Sequence, residues 1–406
     1  MNKRLYPWVL VGLLSFNFGV VYFDRNTLNF LMPLIQPELH LSNSQIGILG
    51  SVLGLSWAIA GLGIGRLSDA TGQRKMLLVV CALVFSAASV LQGWASGFAM
   101  LVATRILMGF AEGGVMPISQ TLIAAEVDPA RRGLAMGITQ NFAANLLSNF
   151  LGPIVVVAIG EAFGWRRAFY LAGIPGVVAA LLMLWLIREP TREEVAQQAA
   201  TASIGRDAWK HRNVLLCIAL SILLVAFVVV FAIFMPLYLV NVRHLSPAAM
   251  SWLMSMFGLT SMGFAFLVPG SSDVLGRRPV VISMSLIGAL IPLGALFVDQ
   301  PLWVVFVLFG LGAAISGCFP LAMATIPSET VPPRQLATVL GLTMGLAEFI
   351  GGVAAPTLAG WAADARGLQA TLWILIGLSA VTGALACFIQ ETAPRVLHRR
   401  VAATAG

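Results

Sequence analysis

Leu67–Lys75 reads LSDATGQRK, and Ser271–Pro279, further along the chain, reads SSDVLGRRP. The two stretches match at an offset of 204, so Asp69, Gly72 and Arg74 answer to Asp273, Gly276 and Arg278. Glycine permits a tight turn there, the aspartate caps a helix start or pairs with a cation, and the arginines keep a loop in water. More matches lie on either side at an offset of 203. Met32–Leu34 recurs as Met235–Leu237, Gly114 and Pro117 as Gly317 and Pro320, and Pro153 as Pro356. Glu126, Pro129 and Arg131 recur as Glu329, Pro332 and Arg334. Several rare residues sharing one spacing, half of 406 residues, indicate an internal duplication.

Between these marks the chain is apolar: 59% of its residues are hydrophobic and 10% charged, where soluble domains carry about 25% charged residues. A membrane-crossing helix needs roughly 20 apolar residues. Twelve such segments can be marked, from about 7–35 to about 369–390, and the hydrophilic stretch 188–212 separates six from six. The expected fold is an all-α membrane protein with twelve transmembrane helices in two pseudo-symmetric six-helix bundles. Residues 1–187 form the first bundle, 188–212 a linker, and 213–406 the second bundle with a short tail. The first span is too long for a cleavable signal and carries Asp24 and Arg25.

Cations set the orientation. Eighteen of the 24 Lys and Arg fall on the side of the termini and the linker, four on the other side, and two within spans. The positive-inside rule then puts both termini in the cytoplasm, and the short loops, with no glycosylation-rich lumenal loop, suggest an inner membrane of bacterial type. The net charge of +7 is topogenic and implies no nucleic-acid partner. The four cysteines sit in apolar stretches without metal spacing, and the four histidines lie in loops or near span ends. An enzyme reading finds little support. No cofactor is expected beyond a proton as coupling ion, and the working unit is expected to be a monomer in the lipid bilayer.

Ionisable residues inside spans are functional candidates, since insertion costs about 2.5–3.5 kcal/mol each. Here they are Asp24 and Arg25 in the first span, Arg105 and Glu112 in the fourth, and Glu348 in the eleventh. At an offset of 203 the first four become Phe227, Val228, Leu308 and Ile315, so one half alone keeps this cluster. Arg105 and Glu112 are two helical turns apart and cannot easily satisfy each other, leaving crossed Asp24–Arg105 and Arg25–Glu112 contacts open. Three carboxylates against two arginines favour a proton on one acid during part of a cycle. The residue types suggest proton coupling at Asp24, Glu112 and Glu348, and anion recognition by the fork of Arg25 or Arg105. A static salt-bridge network is the alternative, for Arg105 above all.

Further candidates for substrate contact are Tyr22, Gln140, Asn141, Asn145, Tyr238 and Glu348. Asn141, Asn145 and Asn149 are spaced by four and form one polar stripe on the fifth span. Gly109, Gly113 and Gly114 around Glu112 suggest close helix packing. Phe227, Phe231 and Phe234 in the seventh span suggest core or an apolar lining. The paired loops offer Asp69, Arg74, Arg131, Asp273, Arg278 and Arg334 as a cytoplasmic gate.

The paired loop pattern, with twelve spans in two parallel halves, is similar to the signature of the major facilitator superfamily. That resemblance implies two bundles around a central cavity, rocking between inward- and outward-open states. YFDRNTLNFLMPLI in the first span and RILMGFAEGG in the fourth resemble the anion:cation symporter family, which includes sialin and the galactonate and hexuronate permeases. The resemblance implies Asp24 and Glu112 in proton coupling, Arg25 in substrate or gating contacts, and Arg105 supporting Glu112. The expected activity is proton-coupled symport of a small organic anion, a monocarboxylate or sugar acid. Two alternatives are a lysolipid or hydrophobic-anion exporter, like the spinster carriers that share these charges, and a membrane sensor that binds without transport.

Overall fold

A computed structural model describes residues 5–128, 131–189, 211–299 and 301–396. Among them, twelve helices are long and apolar enough to cross a membrane, and no strand occurs. In chain order they are α1 (Tyr6–Leu39), α2 (Asn43–Ser68), α3 (Arg74–Gly93), α4 (Phe98–Glu126), α5 (Arg132–Phe163) and α6 (Trp165–Leu186). Then follow α7 (Arg212–Asn241), α8 (Pro247–Leu275), α9 (Arg277–Phe297), α10 (Leu302–Thr330), α11 (Val339–Arg366) and α12 (Gln369–Ala386). The chain divides into two compact units, Met1–Ala200 with Pro236–Gly258, and Thr201–Met235 with Leu259–Gly406. Of the stretch read as a linker, residues 190–210 lie outside the described residues.

Local chemistry sets the helix ends. Ser42 opens α2 with a capping box, its hydroxyl accepting from Gln45 N while the Gln45 side chain accepts from Ser42 N. The backbone also records the duplication. Among the described residues the positive-φ positions pair across the halves: His40 (50°) with His244 (53°), Gly72 (71°) with Gly276 (106°), and Gly164 (86°) with Gly367 (82°). Each pair lies at corresponding helix junctions of the two halves, where a positive φ separates one helix from the next. A π-helical stretch at Ala144–Leu151 of α5 recurs at Ala347–Ala354 of α11.

Small residues bring helices together, as the glycine pattern around Glu112 suggests. A Cβ on Gly109 would strike Ser56, and one on Gly113 would strike the Trp57 carbonyl oxygen, so α2 and α4 meet backbone to backbone. Gly19 of α1 lies as tightly against Ala143 of α5. The first unit is filled around Leu14, Phe85, Met108 and Leu122. In the second, Phe227, Phe231 and Phe234 are core residues. Phe231 lies 6.5 Å from Phe227 and 6.2 Å from Phe309, centroid to centroid. Trp185, Phe266 and Trp303 face outward, where lipid is the solvent.

Candidate functional site

The charged cluster assembles inside the first unit. Asp24 is fully buried, and its Oδ1 accepts the Ser89 hydroxyl of α3 at 2.5 Å while Oδ2 has no hydrogen-bond partner. Arg25, the next residue, points elsewhere. It is half-buried, with its guanidinium 5.7 Å from the centre of the Tyr22 ring. Adjacent positions on a helix lie about 100° apart, so α1 turns its acid and its base in different directions.

From α4, Arg105 is buried and donates Nη1–H to the backbone carbonyl of Arg25 at 2.9 Å. Its Nε has no partner. Glu112 is 1% exposed, yet neither of its oxygens accepts a hydrogen bond. The crossed ion pairs left open by the sequence are therefore not made. Arg105 gives an N–H to a main-chain oxygen, and Asp24 turns to a serine. The coupling runs through space instead: the cations Arg25 and Arg105 act on Glu112, while Asp24 feels the cation Arg105 and the like charge of Glu112. Buried carboxylates with unsatisfied oxygens call for an explanation.

The polar stripe of α5 lies beside this cluster. Asn145 donates to the Asn141 carbonyl at 3.0 Å, Asn149 to Asn145 Oδ1 at 3.0 Å, and Asn141 to the Gly137 carbonyl at 3.1 Å. Ser148 ties the stripe to α1, accepting from Asn26 Nδ2 and donating to the Tyr22 carbonyl, both at 2.9 Å. Gln140 borders a small cavity with Phe18, Ser119 and Thr139, and both of those hydroxyls are buried without partners. Tyr238 is buried near the end of α7. Glu348 belongs to the second unit, half-buried at the start of the α11 π-helical stretch.

The gate candidates resolve differently. Arg277, rather than Arg278, occupies the structural position of Arg74. It is 4% exposed and binds Glu329 through Nη2 at 2.8 Å and Nε at 3.3 Å, with Asp273 at 2.6 Å. Arg278 is exposed, because the Asp–Gly–Arg match at 204 slips one residue against the 203 register of the helices. Arg74 is buried and Arg131 exposed, while the side chains of Asp69 and Arg334 lie outside the described residues.

Two acids escaped the sequence reading. Glu189 accepts from the backbone N–H of Arg74 at 2.5 Å and of Lys75 at 3.0 Å; Glu391 does the same for Arg277 at 2.7 Å and Arg278 at 3.2 Å. Each carboxylate caps the orphan donors at a helix N-terminus, of α3 and of α9. A signal was there, since each acid follows the last span of its half.

The sequence matches the Major Facilitator Superfamily over residues 14–268 and 230–404. It is 32% identical to a probable sulfoacetate transporter of Cupriavidus necator over 181 residues, 45% of this chain and 41% of that one. Identity to the hexuronate transporter of Bacillus subtilis is 28%, over 95% and 94% of the two chains. A multidrug resistance protein of Salmonella paratyphi B is 26% identical over 86% and 87%. In fold, a bacterial homologue of the human lysosomal transporter Spinster is similar with a TM-score of 0.76 at 17% identity, covering 94% and 96%. With twelve spans and bacterial relatives, the chain is a multi-pass protein of the bacterial inner membrane.

Proposed function

Since the chain belongs to the Major Facilitator Superfamily and is a transporter rather than an enzyme, we propose that it is a proton-coupled symporter of a small organic anion, a monocarboxylate or sugar acid. One observation carries this reading: Arg25, half-buried and engaged in no ion pair among the described residues, acts electrostatically on Glu112, which like Asp24 is buried with an unsatisfied oxygen. Its planar fork suits a carboxylate or sulfonate. The charge sum supports coupling. With an anion on Arg25, Asp24 and Glu112 face a single remaining arginine, and an incoming proton restores neutrality. The anion-transporting relatives favour the same substrate class.

In this reading Asp24 and Glu112 carry protons, with Glu348 as a further site. Tyr22, Arg105, Gln140, Asn141, Asn145 and Tyr238 complete substrate recognition, both termini lie in the cytoplasm, and the loops of Asp69 and Asp273 form the gate. The test is acidification of proteoliposomes with an internal pH dye, challenged with hexuronate, sulfoacetate and simple monocarboxylates. Uptake of protons with one class is expected, and Asp24→Asn and Glu112→Gln should abolish it. Normal proton-driven accumulation in both variants would refute the proton roles.

The multidrug relative favours a second reading, export of an apolar compound. Its sequence support was an apolar lining by Phe227, Phe231 and Phe234, and these residues are buried in the core of their unit. Silence across the carboxylate panel, with proton release driven by an apolar substrate, would decide for export.

A further inference from the structure

The acid at the centre of the cluster is held by a hydroxyl with two places to put its proton. Ser89 is fully buried on α3 and lies within hydrogen-bond distance of two acceptors, Asp24 Oδ1 at 2.5 Å and the Phe169 carbonyl oxygen of α6 at 3.3 Å. A serine hydroxyl has one proton and two lone pairs, so it serves only one of these oxygens at a time. When Asp24 is ionised, Ser89 donates to Oδ1. When Asp24 is protonated, the carboxyl O–H donates to Ser89 Oγ, and the hydroxyl proton turns to Phe169. That carbonyl already accepts the Gly173 N–H at 3.2 Å and has a second lone pair. The added proton stays on the carboxyl, the hydroxyl rotates, and no covalent bond of Ser89 breaks.

The repeat supplies an independent observation. At an offset of 203, Asp24 answers to Phe227 and Ser89 to Pro292. The half that lacks the acid lacks its hydroxyl as well.

We propose that Ser89 is a positioning residue that holds Asp24 in both protonation states, with the Phe169 carbonyl as its alternative acceptor. The proposal rests on the reading of Asp24 as a proton carrier. The charged and titratable groups around Asp24 are few. Arg25 follows it on α1, and α4 brings Arg105 and Glu112. From α6 comes Tyr170, whose O–H donates to the Gly93 carbonyl at 3.3 Å, with Arg166 and Arg167 near the helix start. The charges of α5, Arg132 and Glu161, stand near its ends, as do Arg74 and Lys75 on α3.

The test needs no substrate. Infrared difference spectra of the purified protein in lipid vesicles, recorded across a pH series, follow the protonated carboxyl C=O band, and Asp24→Asn identifies the component that belongs to Asp24. Ser89→Ala removes a charge-assisted hydrogen bond from the ionised form and a weaker neutral one from the protonated form, so the midpoint of that component should move to higher pH by about one unit. Ser89→Thr retains the hydroxyl and should keep the wild-type midpoint. An unmoved midpoint in Ser89→Ala, with the band present, would overturn the proposal. So would a Ser89→Thr midpoint displaced as far as that of Ser89→Ala, since volume rather than the hydroxyl would then be at work. A spectrum that Asp24→Asn leaves unaltered would instead remove the premise, the proton role of Asp24 itself.

Discussion

Replacing Arg277 with alanine should destabilise the second unit far more than replacing its neighbour Arg278. The Arg277 guanidinium is forked onto Glu329, reaches Asp273 at 2.6 Å and donates to Ser272 Oγ at 2.5 Å. Removing one partner of a buried pair costs about 3–5 kcal/mol, because the other charge is left without compensation. That figure shrinks here for two reasons. The Asp273 side chain is 55% exposed, so its share falls to the surface value of about 0–1 kcal/mol. Glu329 is 20% exposed and keeps a hydrogen bond from the Thr392 hydroxyl at 2.6 Å. The net cost is then about 2–4 kcal/mol. Arg278→Ala, at an exposed position, should stay within about 0.5 kcal/mol. Arg277→Lys should fall between, since an ammonium keeps the charge and loses the fork. The assay is thermal unfolding of detergent-purified protein at one fixed scan rate, because such transitions are rate-dependent. Equal losses in Arg277→Ala and Arg278→Ala would refute the reasoning and restore the register read from the loops.

Three further outcomes follow from the same geometry. Glu391→Gln keeps the shape of the α9 cap and loses its charge, which should lower stability by about 0.3–1 kcal/mol, less at high salt; a loss that ignores salt would argue against a charge–dipole origin. Gly113→Ala drives a methyl into the Trp57 carbonyl and should cost about 1–3 kcal/mol. Gly133→Ala meets nothing within 4 Å and should gain about 0.5–1 kcal/mol, so similar unfolding temperatures for the two variants would contradict the α2–α4 contact. Arg25→Ala should remove carboxylate binding measured by calorimetry, and unchanged affinity would exclude Arg25 as the anion site.

The spans and the duplication were legible because both are one-dimensional signals: long apolar runs and recurring glycines, prolines and acids at fixed spacing. The charged residues of α1 and α4 stood out because a bilayer makes them expensive. Their partners did not stand out. Ser89 is one serine among many in apolar helices, and only the packing of α3 against α1 singles it out. Ser148 became visible as the tie between Asn26 and Tyr22 for the same reason. The choice between Arg277 and Arg278 could not be made from neighbouring letters, because a slip of one residue turns a helical side chain from the interior to the surface. Asp24 and Arg105 carry complementary charges, which made a direct pair reasonable. The backbone carbonyl of Arg25, whose second lone pair no sequence pattern advertises, took the arginine instead.

The matched π-helical stretches of α5 and α11 also say something about history. A π turn holds one residue more than an α turn, so it records an insertion that the helix absorbed without breaking. Ala144–Leu151 and Ala347–Ala354 stand at the same offset as the prolines and glycines of the repeat. The irregularity is therefore among the features that the two halves share. Asn145 and Glu348 sit at equivalent places on those turns, so the acid of α11 and the amide of α5 descend from a single ancestral position. The two halves diverged in side-chain chemistry while keeping an older irregularity of the backbone.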